Sequence, residues 1–420
     1  MPDTPAATPS SPDSTTQPKP RNLSKGAIIL LGTLTAIGSI SIDMYLPGFP
    51  AIERDLHATA GQVQWTLASF FIGLALGQLF YGPISDRFGR KPPMYVGMML
   101  YALACVGCMM ATSIEWLIAC RFVQALGGCA GMVVARAVVR DRCEPREAAK
   151  VFALLMLTMG LAPILAPLLG GSLVVFAGWR VLFAVQLAFA VICLLGMHFG
   201  LTESHNRDTA QPLHLGRILG SYFNLLQDRW FVGYTLASGL GWAGMFAYIT
   251  GSPYVLITLH GIKPEHFGWV FGSNAFGMIF AAQINSRLLK HFEIDSILRR
   301  ALWVPMLAGI ALAAVAWLRL ETLTLLLSGL FCFVASLGFV GPNGSASAMR
   351  HQGQRAGLAS ALMGSLQFVL ATVVGTLMGA WQDPSARPLT TLMAVCGILA
   401  FTVHRLLVVR VEDPRNAQPH

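Results

Sequence analysis

Eleven stretches of this chain run 17 or more residues without an Asp, Glu, Lys or Arg, and a twelfth, residues 116–139, is interrupted only by Arg121 and Arg136. A helix of about 20 residues spans the ~30 Å hydrocarbon core of a bilayer. In hydrocarbon each backbone N–H and C=O must be satisfied within its own segment, so runs like these become helices. Only 12% of the 420 residues are charged, against roughly 25% in soluble domains. The runs predict twelve spans, near 26–48, 62–82, 93–113, 116–139, 148–175, 180–201, 230–257, 266–286, 301–318, 322–349, 356–381 and 388–409.

The basic excess sets topology and does not mark a nucleic-acid surface. Of 29 Lys and Arg, 23 fall on the side holding both termini, five (Arg54, Arg180, Lys263, Arg319, Arg387) fall on the other, and Arg121 lies within a span. The positive-inside rule then predicts cytoplasmic termini. The charged connection at 202–229 divides the chain into bundles 26–201 and 230–409, flanked by tails 1–25 and 410–420. The first tail, rich in Pro, Ser and Thr, is predicted to be disordered and lacks the pattern of a secretory signal. Two six-span halves of nearly equal length suggest an internal duplication. The expected fold is all-α: twelve transmembrane helices in two pseudo-symmetric six-helix bundles. The loop after span 8 repeats the charged loop after span 2, without its glycines or its acid.

That earlier loop reads Gly82-Pro-Ile-Ser-Asp86-Arg87-Phe-Gly89-Arg90-Lys91-Pro92. Gly82 and Gly89 suit a tight turn with positive φ, and Pro92 suits the first turn of the next helix. Asp86, among three cations, can form charge-assisted bonds or sit at a helix N-terminus. Two charges lie inside spans, where each costs about 2.5–3.5 kcal/mol on insertion scales. Asp43 sits about five residues, ~7–8 Å, from the end of span 1, and Arg121 lies as far into span 4 from the same face. A structural ion pair is one reading. The other is a proton-binding carboxylate balanced between desolvation and a nearby cation. In span 5, Gly160-x-x-Pro163-x-x-x-Pro167-x-x-Gly170-Gly171 predicts a kinked helix with close neighbours.

Four segments resemble the major facilitator superfamily and, within it, the bicyclomycin-resistance branch of drug:proton antiporters. The 82–92 loop is similar to the superfamily signature between the second and third helices. Ser41-Ile-Asp43-Met-Tyr45-Leu-Pro47 resembles the branch's first-helix motif, and Arg121-Phe-Val-Gln124-Ala-Leu-Gly127-Gly128 through Arg136-Ala-Val-Val-Arg140-Asp141 its fourth helix. The span 5 pattern resembles the antiporter motif, with Ala166 where that motif usually has Gly. The resemblance implies a conformational latch at Gly82, Asp86, Arg87, Gly89, Arg90 and Asp141, and a seal against proton leak in span 5. It implies proton coupling at Asp43 and Arg121.

Tyr45, Gln124, Tyr248 and Phe368 are the expected substrate contacts. An apolar, aromatic cavity with one acid suits bulky amphipathic or cationic solutes better than sugars. Cys105-x-x-Cys108 lies inside an apolar span without further ligands, so it reads as packing. No phosphate-binding loop occurs, and no metal, cofactor or nucleic acid is expected. The sequence thus predicts a monomeric, proton-driven exporter of small molecules in the bacterial inner membrane, in contact with lipid. A proton-coupled nutrient symporter is the alternative within transport. A polytopic membrane enzyme or a sensor is the alternative outside it.

Overall fold

The computed structural model describes residues 23–201, 203, 215–381 and 383–409. Residues 1–22 of the first tail, for which disorder is predicted, the second tail from 410, and residues 202 and 204–214 of the central connection lie outside the described residues.

The crossings follow the predicted order. Span 1 comprises α1 (Lys25–Asp43), a 3-10 turn (Leu46–Gly48) and α2 (Phe49–Asp55). Spans 2 to 6 are α3 (Ala60–Phe88), α4 (Lys91–Met109), α5 (Ile114–Arg142), α6 (Pro145–Ala177) and α7 (Arg180–Gly200). A connecting helix, α8 (Leu215–Gln227), leads to α9 (Arg229–Ser252), which a π-helical stretch extends (Pro253–Leu259), and to α10 (Pro264–Leu288). Span 9 is split into α11 (Ile294–Ala301) and α12 (Trp303–Trp317), followed by α13 (Leu323–Met349), α14 (Ala356–Ala380) and α15 (Arg387–Val403). Eleven of the twelve are both long and apolar enough to cross a membrane. The exception, α9, is long enough, but its Gly, Ser, Tyr and Trp make it less apolar.

Helix starts have local causes. Ser24, Ser113 and Thr322 accept backbone N–H bonds at the starts of α1, α5 and α13. Thr59 and Gln62 form a reciprocal capping box at α3, satisfying two N–H groups that a helix start leaves open. One predicted turn is absent: α3 runs through Gly82 and Pro83 to Phe88, and only Gly89 adopts positive φ, at 90°. A glycine before a proline has no Cβ for the ring to strike, so the helix can continue. Many large apolar side chains face outward, among them Phe176 at 87% and Phe199 at 83% exposure. That surface fits lipid contact.

The halves meet along two seams, α3 against α14 and α6 against α10. On the face opposite the termini the seams are backbone on backbone. A Cβ on Gly61 would overlap the Gly379 carbonyl, and one on Gly171 would overlap that of Pro264. At mid-depth Phe71 packs 4.8 Å from Phe246 and 6.3 Å from Phe368, closing the centre. On the face with the termini and most of the base, the halves part around a cavity of about 460 Å³.

Candidate functional site

Span 1 breaks beside Pro47, and the break creates the site. Where α1 ends at Asp43, the last carbonyls lose their intrahelical donors. Tyr45 N–H turns back to Ile42 at 3.3 Å, and the Ser41 carbonyl accepts Arg121 Nη2 instead, at 3.0 Å. Arg121 is fully buried. Its Nη1 donates to Gln124 Oε1 at 2.6 Å, and its guanidinium lies 4.2 Å from the Phe70 ring centroid and 4.5 Å from that of Tyr45. Desolvated cation–π contacts contribute about 2 kcal/mol, so two rings offset much of the cost of burying the charge. Gln124 in turn donates to Gln186 at 2.7 Å. Tyr101 links Gln186, at 3.4 Å, to Ser41, at 2.6 Å.

Arg121 therefore does not pair with Asp43. Its guanidinium bonds instead to backbone two residues before the acid. Asp43 is 4% exposed and makes no hydrogen bond or ion pair with any described residue. It lies within electrostatic reach of the Tyr248 phenol in the second half. That hydroxyl accepts Asn274 Nδ2 at 2.8 Å, and the ring stacks 5.4 Å from Phe271. Arg121 keeps one group unsatisfied: its buried Nε has no partner among the described residues.

The expected substrate contacts divide. Tyr45 and Gln124 sit deep in the first half, where they hold Arg121. Tyr45 is fully buried, and its hydroxyl is bonded to Thr66 at 2.8 Å. Phe368 and Tyr248 lie where the halves meet. Phe71, Phe70, Tyr101 and Gln186 had no distinguishing pattern in sequence.

The signature loop forms a cluster around Arg90. Arg90 Nη1 donates to Asp86 at 2.5 Å and to Ser85 at 2.8 Å, and Nε donates to Asp141 at 2.7 Å. Burial works against the Arg90 charge, and the bonds to Asp141 and Asp86 outweigh it, so its proton is held more tightly than usual. Glu203, unremarked in the sequence, anchors the whole. Its carboxylate accepts the N–H groups of Arg90 and Lys91 at 2.9 and 3.0 Å, capping α4. A Cβ on Gly89 would lie 2.8 Å from that carboxylate, so this position excludes a side chain by space as well as by φ. Arg87 stands outside the cluster, over the ring of its neighbour Phe88. Asp86, Arg140 and Gly357 line the same cavity.

In span 5, Gly170 and Gly171 serve different neighbours. A Cβ on Gly170 would overlap the Met44 carbonyl at the break in span 1, while Gly171 abuts Pro264 of the other half. Gly160 is close to Ile279, where a Cβ would sit at 3.3 Å. Pro163 and Pro167 lie inside α6. The motif thus ties the break beside Asp43 to the seam between halves.

A family model described as Major Facilitator Superfamily matches residues 30–376. An uncharacterized MFS-type transporter of Bacillus subtilis, YdgK, is 37% identical over 89% of this chain and 93% of its own. A bicyclomycin resistance protein homolog of Haemophilus influenzae is 33% identical over 91% and 96%. Multidrug resistance protein D of Escherichia coli is 29% identical over 89% and 93%. Among solved structures, the nucleoside transporter NupG superposes with a TM-score of 0.73 at 12% identity, over 92% of this chain and all of that one. The D-xylose-proton symporter superposes at 0.72, also at 12% identity, over 92% and 98%. With the twelve crossings, the signature cluster and these likenesses, the chain belongs to the Major Facilitator Superfamily of multi-pass membrane transporters, in the branch that holds the bicyclomycin- and multidrug-resistance proteins.

Proposed function

We propose that this protein is a proton-coupled exporter of small amphipathic molecules, drugs included, in the bacterial inner membrane. It works as a monomer, needs no cofactor, and draws its energy from the proton gradient. The basic face is cytoplasmic, in keeping with the 23-to-5 division of Lys and Arg and the positive-inside rule. The names of relatives support the substrate class: resistance proteins for bicyclomycin, chloramphenicol and multiple drugs.

The observation that carries this reading is the unpartnered carboxylate of Asp43 at the break in span 1. A buried carboxylate without a partner is costly when ionised. A proton removes that cost, and so does a polar or cationic group of a bound substrate. The two therefore exclude each other at one position, which is the requirement for antiport. Arg121 acts as a positioning residue. By holding the Ser41 carbonyl, it fixes the chain direction just before Asp43. The tie from Gly170 to Met44 and from Gly171 to Pro264 passes a change at the break to the seam between halves, and rocking of the halves exposes the site to alternate faces.

The test is transport in proteoliposomes with an imposed pH gradient and chloramphenicol among the substrates. Antiport requires substrate to move opposite to the proton flow and against its own gradient. Substrate moving with the protons assigns the protein to symport instead.

A further inference from the structure

The cavity on the basic face carries charge where a topology signal has no need of it. Four arginines line it (Arg90, Arg136, Arg140 and Arg355) against one acid, Asp86. Arg90 is committed to Asp86 and Asp141. The other three are not. Arg136 lies six residues, ~9 Å, inside the end of α5. Its Nε donates to the Met132 carbonyl of its own helix at 3.1 Å, and its two Nη groups have no partner among the described residues. Arg140, one turn nearer the mouth, makes no hydrogen bond to a described residue, and its Nη1 lies 3.8 Å from the Cβ position of Gly357. Gly357 belongs to the first turn of α14. That 25-residue helix has no side-chain cap and no acid in its first turn, so its end adds open N–H groups and positive potential.

We propose that this cavity is an anion-selective vestibule that receives small molecules by an acidic group, a carboxylate, phosphate or sulfonate. Arg136 and Arg140 hold that group beside the start of α14. Guanidinium forks match planar oxyanions with paired N–H bonds, and helix N-termini favour the same ligands. Val133, Phe152, Tyr222 and Leu358 supply apolar lining for the body of the molecule. The volume, about 460 Å³, lies within the range of drug-sized sites, roughly 300–1,000 Å³. This inference rests on the export reading, in which the vestibule faces the compartment from which substrate is loaded. It narrows the substrate class: amphipathic acids are taken ahead of cations, the reverse of what the lone acid at Asp43 suggests by itself.

The experiment is equilibrium binding to the purified full chain in detergent, without any gradient, followed by fluorescence anisotropy. The probes are carboxyfluorescein and a cationic rhodamine methyl ester, which share a xanthene ring and differ in charge. Wild type should bind carboxyfluorescein about tenfold more tightly, in keeping with the strength of one or two charge-assisted bonds. The double variant Arg136→Gln/Arg140→Gln should lose that preference while keeping its affinity for the rhodamine, which also shows that it is folded. Equal or tighter rhodamine binding by wild type overturns the proposal. So does an unchanged carboxyfluorescein affinity in the double variant. In nanodiscs, displacement of carboxyfluorescein by phosphatidylglycerol but not phosphatidylcholine assigns the site to a lipid headgroup and overturns the small-molecule assignment. Gradient-driven chloramphenicol transport without a charge preference breaks this proposal alone. A charge preference without such transport breaks the export reading alone.

Discussion

The two halves tie the same two places together on the basic face, with the charges reversed. In the first half, Arg90 follows span 2 and bonds to Asp141 at the end of span 4. In the second, Asp295 follows span 8 and accepts Arg350 from the end of span 10 at 3.0 Å. The position of the tie survives in both copies, and its sign does not. What differs is what surrounds it. Asp295 is also bonded to Tyr234 at 2.9 Å and Ser347 at 2.8 Å, a cluster satisfied within its own half. Arg90 and Asp86 line the cavity between halves, and the Asp86 side chain is 61% exposed. An exposed pair is worth about 0–1 kcal/mol, so Asp86 can leave Arg90 cheaply, whereas the Arg90–Asp141 tie itself, at 4% and 21% side-chain exposure, is more buried than Arg350–Asp295 at 37% and 30%. The same contrast holds for the buried polar groups. The first half buries Asp43 and Arg121, whereas the second has a reciprocal amide pair, Asn285 and Asn343, at 2.8 and 3.3 Å. On the export reading the comparison assigns a division of labour: the first half holds the groups that change state, and the second is a frame.

The sharpest way to break this division is to alter one buried polar group in each half. Asp43→Asn should abolish pH-gradient-driven export in proteoliposomes while the protein still inserts. Asn343→Ala removes one side of the amide pair. It should lower stability by about 1–2 kcal/mol, read as a lower thermal midpoint in detergent, with proton coupling retained. Coupled export by Asp43→Asn, or uncoupling by Asn343→Ala in folded protein, would reverse the assignment.

Next in size is the loss of Arg90. Arg90→Ala leaves Asp86 and Asp141 facing each other without their cation, beside the seam with α14. Transport should fall about tenfold, the upper range for mutations that alter coupling between states, as measured by substrate flux at equal protein density. Asp295→Ala strands three donors in a closed cluster. It should cost about 2–3 kcal/mol of stability and change flux far less than Arg90→Ala does. Equal flux defects in the two variants would mean that both ties switch.

The sequence displayed the crossings and the costly charges plainly, because long apolar runs and buried ions each have one physical explanation. It did not display pairing. Distance from a span end fixes depth and says nothing about direction around the helix. Arg121 therefore met the Ser41 carbonyl, which the early end of α1 had freed, rather than the Asp43 carboxylate. Gly82 looked like a turn because glycine before proline usually marks one, yet here it lets α3 continue. The acid of the second copy, Asp295, stands in the first turn of α11 and not in the loop that matches residues 82–92. Glu203 and Gln186 were ordinary polar residues until the fold brought α4 and α5 to them.

The smallest expected effect tests the comparison most finely. If only the tie matters in the second half, its charges can be exchanged. Asp295→Arg with Arg350→Asp should restore stability to within about 1 kcal/mol of wild type, because residues in contact are not additive, while each single change destabilises by more. Full recovery is not expected, since Tyr234 and Ser347 donate to Asp295 and the exchange moves their acceptor. The matching exchange in the first half, Arg90→Asp with Asp141→Arg, should fail to restore transport. Arg90 also holds Asp86 and Ser85, and an acid at that position would face Asp86 and the Glu203 carboxylate that caps α4. Thermal midpoints read the second-half exchange and flux reads the first. Recovery in both halves would mean that each tie is a simple pair, and the first half would lose its claim to a specialised switch.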